Sequence, residues 1–193
     1  MDSCLVGSEM CIRDRQMTGK TLGIIGMGRI GKATARRAAL GFGMKIVFYN
    51  RSTVNDCGDF EGEQLPTVEA VCQHADLVSL HCPGGEETRH ILGEKALAAM
   101  PSHGIVINTA RGDVVDEEAL ADALHGGHIG GAGLDVFQGE PVINPRLMNA
   151  PNVVLLPHLG SATTETRNAM GMTVCENLKA FFAGKDVPNP VHS

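Results

Sequence analysis

Three ionisable residues each follow a short apolar run of the sequence, where a predicted strand ends. Arg111 comes after the run that closes at Asn108, Glu140 follows a run rich in small residues, and His158 follows a run closed by Pro157. A guanidinium can bind the carboxylate and carbonyl oxygens of a 2-oxo acid in a bidentate manner. An imidazole can pass a proton to the carbonyl oxygen, while a nearby carboxylate stabilises the imidazolium and fixes its tautomer. Beside a nicotinamide, this set predicts hydride transfer with general acid–base catalysis.

Each of the three residues also has an ordinary explanation when it is taken alone. An arginine in a loop is most often a surface charge, a glutamate before a proline is most often part of a turn, and a single histidine is most often a polar residue with satisfied hydrogen bonds. The case for chemistry depends on finding all three at one edge of a parallel sheet, because ligands bind beyond the carboxyl ends of such strands.

A glycine-rich turn follows the earliest apolar run, residues 22–25. Gly26, Gly28 and Gly31 form G-x-G-x-x-G, and an alanine-rich stretch comes next. In a strand–turn–helix unit the three glycines allow the sharp turn, the close approach of a pyrophosphate and the packing of the helix on the sheet. The free N–H groups of the helix N-terminus favour phosphate. The context predicts a dinucleotide site, although methyltransferases also use glycine-rich first loops and the motif alone does not name the cofactor.

The second apolar run, residues 45–49, ends at Asn50, Arg51 and Ser52. In an NAD site an acidic residue at this position accepts a hydrogen bond from the ribose 2′-hydroxyl, and here no acid is present. The Arg51 guanidinium, with Asn50 and Ser52 as further donors, suits a 2′-phosphate and favours NADP(H). The alternative is that Arg51 stacks on adenine or lies in solvent, in which case NAD remains possible.

Apolar runs alternate with helical patterns along the whole chain. This alternation predicts an α/β fold with a doubly wound parallel sheet, a Rossmann-type dinucleotide-binding domain. The first helix is expected over residues 32–40 and to end at Gly41, residues 55–64 are expected to be a polar loop, and Thr67 and Asp116 are expected to cap later helices. The last helix, residues 163–182, carries apolar side chains on one face: Met170, Val174, Leu178 and Phe181.

Composition limits the classes of partner. The 193 residues include 22 acidic and 16 basic ones, a formal net charge of −6, and no basic stripe, which argues against a nucleic-acid partner. No apolar run approaches the length of a membrane span. Six cysteines are scattered without a C-x-x-C pair, so we expect reduced thiols and no metal site. The N-terminal residues show no apolar signal core, and we expect a cytoplasmic protein. Residues 1–15 match no pattern that follows and are interpreted either as a non-native stub or as a disordered tail.

From about residue 17 to residue 191, the chain resembles the nucleotide-binding domain of the D-isomer-specific 2-hydroxyacid dehydrogenases. Four runs carry the resemblance: G-I-I-G-M-G-R-I-G at residues 23–31, N-T-A-R-G at residues 108–112, G-L-D-V-F followed by G-E-P within residues 133–141, and P-H-L-G-S-A-T at residues 157–163. The Asn50-Arg51-Ser52 turn looks most like the glyoxylate/hydroxypyruvate reductase branch, which commonly uses NADPH. Gly84 and Gly85 depart from the larger or hydroxylated residues that are usual in their loop.

The resemblance implies roles for individual residues. Arg111, Glu140 and His158 would be the catalytic set. Arg29 and Ile30 would lie at the pyrophosphate, and Thr109 and Asp135 beside the nicotinamide. Further coenzyme contacts are implied for Cys82, Pro83, Thr88, Ala110, Gly160 and Ser161. The resemblance also implies a small 2-oxo or 2-hydroxy acid as substrate and a homodimer.

Family members carry a substantial segment before the first glycine loop, which forms most of the substrate domain. Here residues 1–16 are an unmatched tail, residues 17–163 are expected to form the dinucleotide-binding domain, and residues 164–193 are expected to form a helix and tail that pack toward the absent domain. The chain as given is therefore also consistent with a cofactor-binding fragment without turnover. An NAD-dependent, phosphoglycerate-like dehydrogenase and a nucleotide-binding corepressor-like module fit the same motifs.

Overall fold

The computed structural model describes residues 16–190, so the interpretations of residues 1–15 lie outside the described part. Its strands are β1 (Thr21–Ile25), β2 (Lys45–Tyr49), β3 (Glu63–Gln64), β4 (Leu77–Leu80), β5 (Ile105–Asn108), β6 (Gly131–Leu134) and β7 (Val153–Leu155). Its α-helices are α1 (Arg29–Phe42), α2 (Val68–His74), α3 (Glu94–Ala98), α4 (Glu117–His125), α5 (Pro145–Met148) and α6 (Thr164–Phe182). Short 3-10 turns cover Glu86–Thr88 and Gly112–Val114.

The described strands form one sheet in the order β3-β2-β1-β4-β5-β6-β7. Every neighbouring pair is parallel. The chain moves outward from β1 to β3, returns to the other side of β1 as β4, and continues to β7. This confirms the predicted doubly wound α/β fold, and it places a crevice at the carboxyl ends of β1 and β4, where the winding direction reverses.

The two faces of β1 explain how the sheet is covered on both sides. Leu22 and Ile24 point to one face and pack with Ala35 of α1 in one buried cluster. Gly23 and Ile25 point to the other face, because side chains alternate along a strand. A Cβ on Gly23 would lie 2.6 Å from Cγ1 of Val71, so the absence of a side chain allows α2 to pack close to the sheet.

The larger buried cluster lies on the face that α2, α3, α4 and α5 cover. Each of these helices contributes a side chain that is essentially inaccessible to solvent: Val71, Leu97, Leu120 and Leu147. Burial of such side chains is worth about 1.5–3 kcal/mol each before entropy is counted. This core fixes the loops at the carboxyl ends of β4, β5 and β6, which carry two of the three predicted catalytic residues, Arg111 and Glu140.

Helix boundaries follow the expected caps, with one correction. The Thr67 hydroxyl accepts a bond from Ala70 N–H, and the Asp116 carboxylate accepts from the first turn of α4. The expected end of α1 at Gly41 is wrong: the helix continues to Phe42, and Gly43, at φ 62°, caps it by donating its N–H to carbonyls of the last turn. A left-handed C-cap suits glycine, whereas Gly41 adopts ordinary helical geometry.

Part of the expected polar loop at residues 55–64 forms a strand. Glu63 and Gln64 pair with Val47 and Phe48, and Leu65 N–H donates to the Phe48 carbonyl at 2.8 Å. The segment is too short and too polar to show a strand period, and the exposed edge of β2 provides the hydrogen bonds that hold it.

The chain divides into two compact units, one ending at Pro157 and the other beginning at His158. The second unit contains α6, capped by the Thr163 hydroxyl, which accepts from Thr166 N–H at 3.2 Å. Its apolar side chains Met170, Val174, Leu178 and Phe181 are exposed. Among the described residues no helix is long and apolar enough to cross a membrane, and no three His, Cys, Asp or Glu side chains group as a metal site.

Candidate active site

A pocket of about 570 Å³ opens beyond the carboxyl ends of β1, β2 and β4. It therefore lies at the point where the winding of the sheet reverses. The predicted coenzyme residues that line it are Gly26, Gly28, Asn50, Arg51, Ser52, Cys82, Pro83 and Thr88. A larger and more open depression of about 750 Å³, between α1 and β3, contains none of the predicted site residues.

The glycine turn has the geometry that a dinucleotide requires. Gly26 has φ 97°, and a Cβ there would lie 2.7 Å from the Cys82 nitrogen. A Cβ on Gly31 would lie 2.2 Å from the Gly26 carbonyl oxygen, so both positions need glycine for folding. Gly28 differs, because a Cβ there would meet nothing within 4 Å. Its missing side chain leaves open space beside the α1 N-terminus, which no side chain caps, and a diphosphate fits this arrangement.

The loop after β2 is held by its own amides. Asn50 Oδ1 accepts a bond from Met27 N–H at 3.1 Å, and Asn50 Nδ2 donates to the carbonyl of Ser52 at 3.0 Å. Gln64 Nε2 donates to the carbonyls of Asn50 and Ser52. The Asn50 amide therefore joins the glycine turn to the loop that carries Arg51.

Arg51 forms an ion pair across the mouth of the pocket. Its Nη1 atom donates a hydrogen bond to Oε2 of Glu87, in the 3-10 turn after β4. The two side chains are 84% and 77% exposed, so both remain open to a ligand from solvent. Among the described residues that line the pocket, Arg51 is the one arginine or lysine, and Glu86 and Glu87 are the acidic residues.

The inner wall of the pocket is neutral. Burial raises the pKa of the Cys82 thiol to about 11, and burial also lowers the pKa of His81 below its ordinary value. The charged side chains that line the pocket, Arg51, Glu86 and Glu87, therefore lie at its mouth rather than along this wall.

The unusual Gly84-Gly85 pair is explained by Asp113. A Cβ on Gly84 would lie 2.6 Å from Asp113 Oδ1, and Gly85, at φ 127°, donates its N–H to Asp113 Oδ2 at 2.9 Å. The Thr88 hydroxyl closes the same loop by donating to the Pro83 carbonyl at 2.6 Å. This side of the pocket is thus tied to the loop that carries Arg111.

Asn108, at the end of β5, shapes the turn that presents Arg111. The Asn108 side chain is 1% exposed. Its Oδ1 accepts from Ala110 N–H at 3.0 Å, and its Nδ2 donates to the Arg111 carbonyl at 2.9 Å. This is the local side-chain-to-backbone bonding that asparagine favours in turns. The Arg111 side chain itself is exposed, and its Nη1 donates to the Ala110 carbonyl at 2.6 Å.

The loops that carry Arg111 and Glu140 pack directly on each other. A Cβ on Gly112 would lie 2.0 Å from the Phe137 carbonyl carbon, so only glycine fits there. Glu140 Oε1 accepts from Phe137 N–H at 3.0 Å, which folds the Glu140 side chain back over its own turn. Arg111 and Glu140 therefore follow neighbouring strands on loops that touch.

Two buried carboxylates support this region. Asp135, 5% exposed, follows β6, and its N–H donates to the Asn108 carbonyl at 2.9 Å. Glu117, 7% exposed, accepts from Gln138 N–H at 2.7 Å. Burial raises the pKa of Glu117, although the bond from Gln138 acts in the opposite direction. Thr109 is exposed, whereas Ala110 is buried.

His158, Gly160 and Ser161 belong to the second unit and are exposed. His158 has φ 55°, a left-handed conformation that is uncommon for residues other than glycine. Such a conformation persists only where the surrounding structure fixes it, and it is found preferentially at functional sites.

Sequence reasoning missed Glu87, Asp113, Glu117 and Gln138. Glu117 follows the N-cap of α4, a position that ordinarily points an acidic side chain to solvent, so no local signal marks it as buried. The partners of all four residues lie at least 21 positions away in the chain. For Asp113 the Gly84-Gly85 departure was an available signal, because a Cβ on Gly84 would lie against the Asp113 carboxylate.

The family model for the D-isomer specific 2-hydroxyacid dehydrogenase, NAD binding domain, matches residues 7–160. The chain belongs to this family. A glyoxylate reductase of Thermococcus litoralis is 49% identical over 176 residues, which are 91% of this chain and 53% of that protein. Glyoxylate/hydroxypyruvate reductase A of Arabidopsis thaliana is 45% identical over 91% of this chain and 55% of its own length. The chain thus spans about half the length of these relatives.

Solved structures of the family agree with the fold. The NADPH-dependent glyoxylate/hydroxypyruvate reductase of Sinorhizobium meliloti, in complex with NADP and malonate, has a TM-score of 0.84 at 40% identity. The match covers 90% of this chain and 53% of that one. The holo form of D-mandelate dehydrogenase from Rhodotorula graminis has a TM-score of 0.86 at 32% identity, covering 93% of this chain and 53% of that one. The first unit is therefore an NAD-binding domain of this dehydrogenase family.

Proposed function

We propose that this chain is the coenzyme-binding half of an NADPH-dependent reductase of glyoxylate, hydroxypyruvate or a related small 2-oxo acid. The observation that carries the proposal is Arg51 at the mouth of the nucleotide pocket, in a turn with no acidic residue to accept from a ribose 2′-hydroxyl. The relatives from Thermococcus litoralis and Arabidopsis thaliana, which are named as reductases of glyoxylate or of glyoxylate and hydroxypyruvate, support this substrate class.

The coenzyme is assigned to residues along the carboxyl edge of the sheet. The turn from Gly26 to Gly31, with Arg29 and Ile30, takes the diphosphate, and Arg51 with Ser52 takes the 2′-phosphate. Cys82, Pro83 and Thr88 take the adenosine half. The nicotinamide half is assigned to the later loops, at Thr109, Ala110, Asp135, Gly160 and Ser161. The bound NADPH supplies the hydride for reduction of the carbonyl carbon.

The catalytic roles follow from side-chain chemistry. Arg111 binds the carboxylate and carbonyl oxygen of the 2-oxo acid and orients the carbonyl. His158, as the imidazolium, donates its proton to the carbonyl oxygen and forms the 2-hydroxy acid. Glu140 orients and stabilises the imidazolium. Asp135 would accept a hydrogen bond from the carboxamide of the nicotinamide and so help to hold that group.

The coenzyme assignment is tested by titrating the chain with NADPH and NADH and following the fluorescence of the coenzyme. The chain contains no tryptophan, so no indole emission overlaps the signal. We expect NADPH to bind at least tenfold more tightly than NADH and R51Q to remove most of that difference. Tighter binding of NADH would contradict the assignment of Arg51, and binding of neither by a folded sample would contradict the site.

The catalytic assignment is tested in a chain completed with the remaining half of the Thermococcus litoralis relative, because water reaches an uncovered site and the substrate is poorly positioned there. NADPH oxidation is followed with glyoxylate and with hydroxypyruvate. We expect H158N to lower kcat by two orders of magnitude or more and R111A chiefly to raise KM. Full turnover by H158N would exclude His158 as the acid.

We also infer a homodimer and a cytoplasmic location. The exposed apolar side chains of α6, among them Met170 and Phe181, support association with further protein surface. Sedimentation equilibrium at several concentrations checks the oligomeric state, and a monomer throughout the range would contradict the dimer. The location remains a prediction from sequence that cell fractionation checks.

A further inference from the structure

The Arg51–Glu87 ion pair joins two loops that are each fixed independently. Gln64 and the Asn50 amide hold the loop of Arg51. The turn of Glu87 is held by the Thr88 hydroxyl on the Pro83 carbonyl. The pair is therefore a consequence of two constrained turns that face each other, and both residues line the nucleotide pocket.

The charges at the mouth oppose the binding of a phosphate. A phosphate monoester carries between one and two negative charges near neutral pH. Glu87 occupies Nη1 of the one guanidinium among the described pocket residues, and the pKa of His81 is lowered, so no second cation compensates. A 2′-phosphate that binds Arg51 must displace the Glu87 carboxylate or share the guanidinium with it. A ribose 2′-hydroxyl is uncharged and has no such requirement.

We propose that Glu87 is a specificity-determining residue, which restrains the preference for a 2′-phosphorylated coenzyme by competing with the 2′-phosphate for Arg51. This inference rests on the proposed coenzyme site. It predicts that the pocket selects NADPH less strongly than the Arg51 guanidinium alone would allow. It also predicts that removal of one negative charge, with the shape of the side chain retained, improves NADPH binding without a comparable change for NADH.

The test compares dissociation constants of NADPH and NADH for the wild-type chain, E87Q and E86Q, by coenzyme fluorescence at low ionic strength. An exposed ion pair of this kind corresponds to about a two- to five-fold change in affinity. We expect E87Q to tighten NADPH binding by that factor and to change NADH binding by less. Glu86 lines the same pocket and bears the same charge, so E86Q is the matched control and we expect it to have a smaller effect.

A second comparison isolates the competition for Arg51. In the R51Q background, E87Q should no longer improve NADPH binding, because the group for which Glu87 competes is absent. An undiminished gain in that background would mean direct repulsion between Glu87 and the phosphate, and it would overturn the proposal. An equal gain in E86Q, or an unchanged NADPH affinity in E87Q, would also overturn it.

These outcomes are distinct from a failure of the proposed function. A wild-type chain that prefers NADH contradicts the proposed NADPH preference, while an Arg51-dependent gain for NADPH in E87Q would still support the competition. A folded chain that binds neither coenzyme contradicts both proposals.

Discussion

The buried carboxylate of Glu117 accepts a hydrogen bond from the backbone N–H of Gln138, 2.7 Å away. The Gln138 side chain also donates to the Val115 carbonyl at 2.7 Å. The loop that carries Glu140 is therefore held at two points, by Glu117 in the first turn of α4 and by Val115 just before its N-cap. The chain positions a proposed catalytic carboxylate through a second carboxylate that is far away in sequence.

Replacement of Glu117 by alanine should destabilise the fold. E117A leaves the Gln138 N–H without its acceptor, and the loss of a buried hydrogen bond of this kind costs about 1–3 kcal/mol. E117Q retains an acceptor oxygen and should lose much less. The free energy of unfolding from urea titration distinguishes the two variants. Equal stability of E117A and the wild type would show that the bond contributes nothing.

The stability difference between E117Q and the wild type should depend on pH. Because burial raises the pKa of Glu117, the folded state binds its proton more tightly than the unfolded state. This contribution is fully present below the unfolded value of 4.5 and is lost as pH rises through the raised folded pKa. E117Q lacks the titration, so its stability relative to the wild type should rise over that interval.

The adjacent Glu118 provides a control of opposite sign. Hydrogen bonds from Arg146 and Asn144 lower the pKa of Glu118, so its contribution appears as pH rises and is lost as pH falls through the lowered value. E118Q should therefore lose stability relative to the wild type at neutral pH and match it in acid. The same direction of change in both variants would contradict the assigned shifts.

Gly112→Ala should unfold or strongly destabilise the first unit. The added Cβ would lie 2.0 Å from the Phe137 carbonyl carbon, and backbone must move to admit it, at a cost of about 3 kcal/mol. Gly133→Ala, in β6, meets nothing within 4 Å and should change stability by about 0.5 kcal/mol or less. Thermal unfolding of the two variants provides the comparison, and similar melting temperatures would contradict the close contact.

Gly28→Ala should separate binding from folding. A Cβ on Gly28 meets no protein atom within 4 Å, so the variant should fold normally while the methyl group obstructs the diphosphate. We expect at least tenfold weaker binding of both NADPH and NADH. Gly41→Ala, inside α1 and equally unobstructed, should bind normally and gain about 0.5–1 kcal/mol of stability. Unchanged coenzyme affinity in G28A would contradict the placement of the diphosphate beside Gly28.

The described cysteines should differ in reactivity. Burial raises the pKa of Cys82 to about 11 and that of Cys72 to about 12, so few of these thiols are ionised at neutral pH, whereas Cys175 is exposed. Peptide mapping after brief alkylation of the folded chain should find Cys175 modified before Cys72 and Cys82. Comparable labelling of Cys82 would indicate that the pocket wall opens.

The sequence allowed prediction of those parts of the site that depend on neighbouring residues. The glycine turn, the strand ends and the caps Thr67 and Asp116 follow from local backbone requirements, and the apolar runs define a sheet covered on both faces. The strand at Glu63–Gln64 was not predictable, because it exists only through the edge of β2. The burial of Glu117 and the pairing of Arg51 with Glu87 could not be predicted for a related reason, since each requires contact between loops from different strands.

The pocket proposed to hold the adenosine half is lined by one continuous segment, because β1, β2 and β4 are adjacent in the sheet and all lie between Thr21 and Leu80, followed by a single loop that ends at Ile91. Arg111, Glu140 and His158 all come later in the chain. We therefore expect the proposed coenzyme preference to be transferable only in part: a chimera with residues 21–91 of an NADH-using relative should bind that relative's coenzyme once position 113, whose carboxylate contacts Gly84 and Gly85, is matched to the new loop. An exchange of the nucleotide therefore involves two separate stretches of the chain, that segment and position 113.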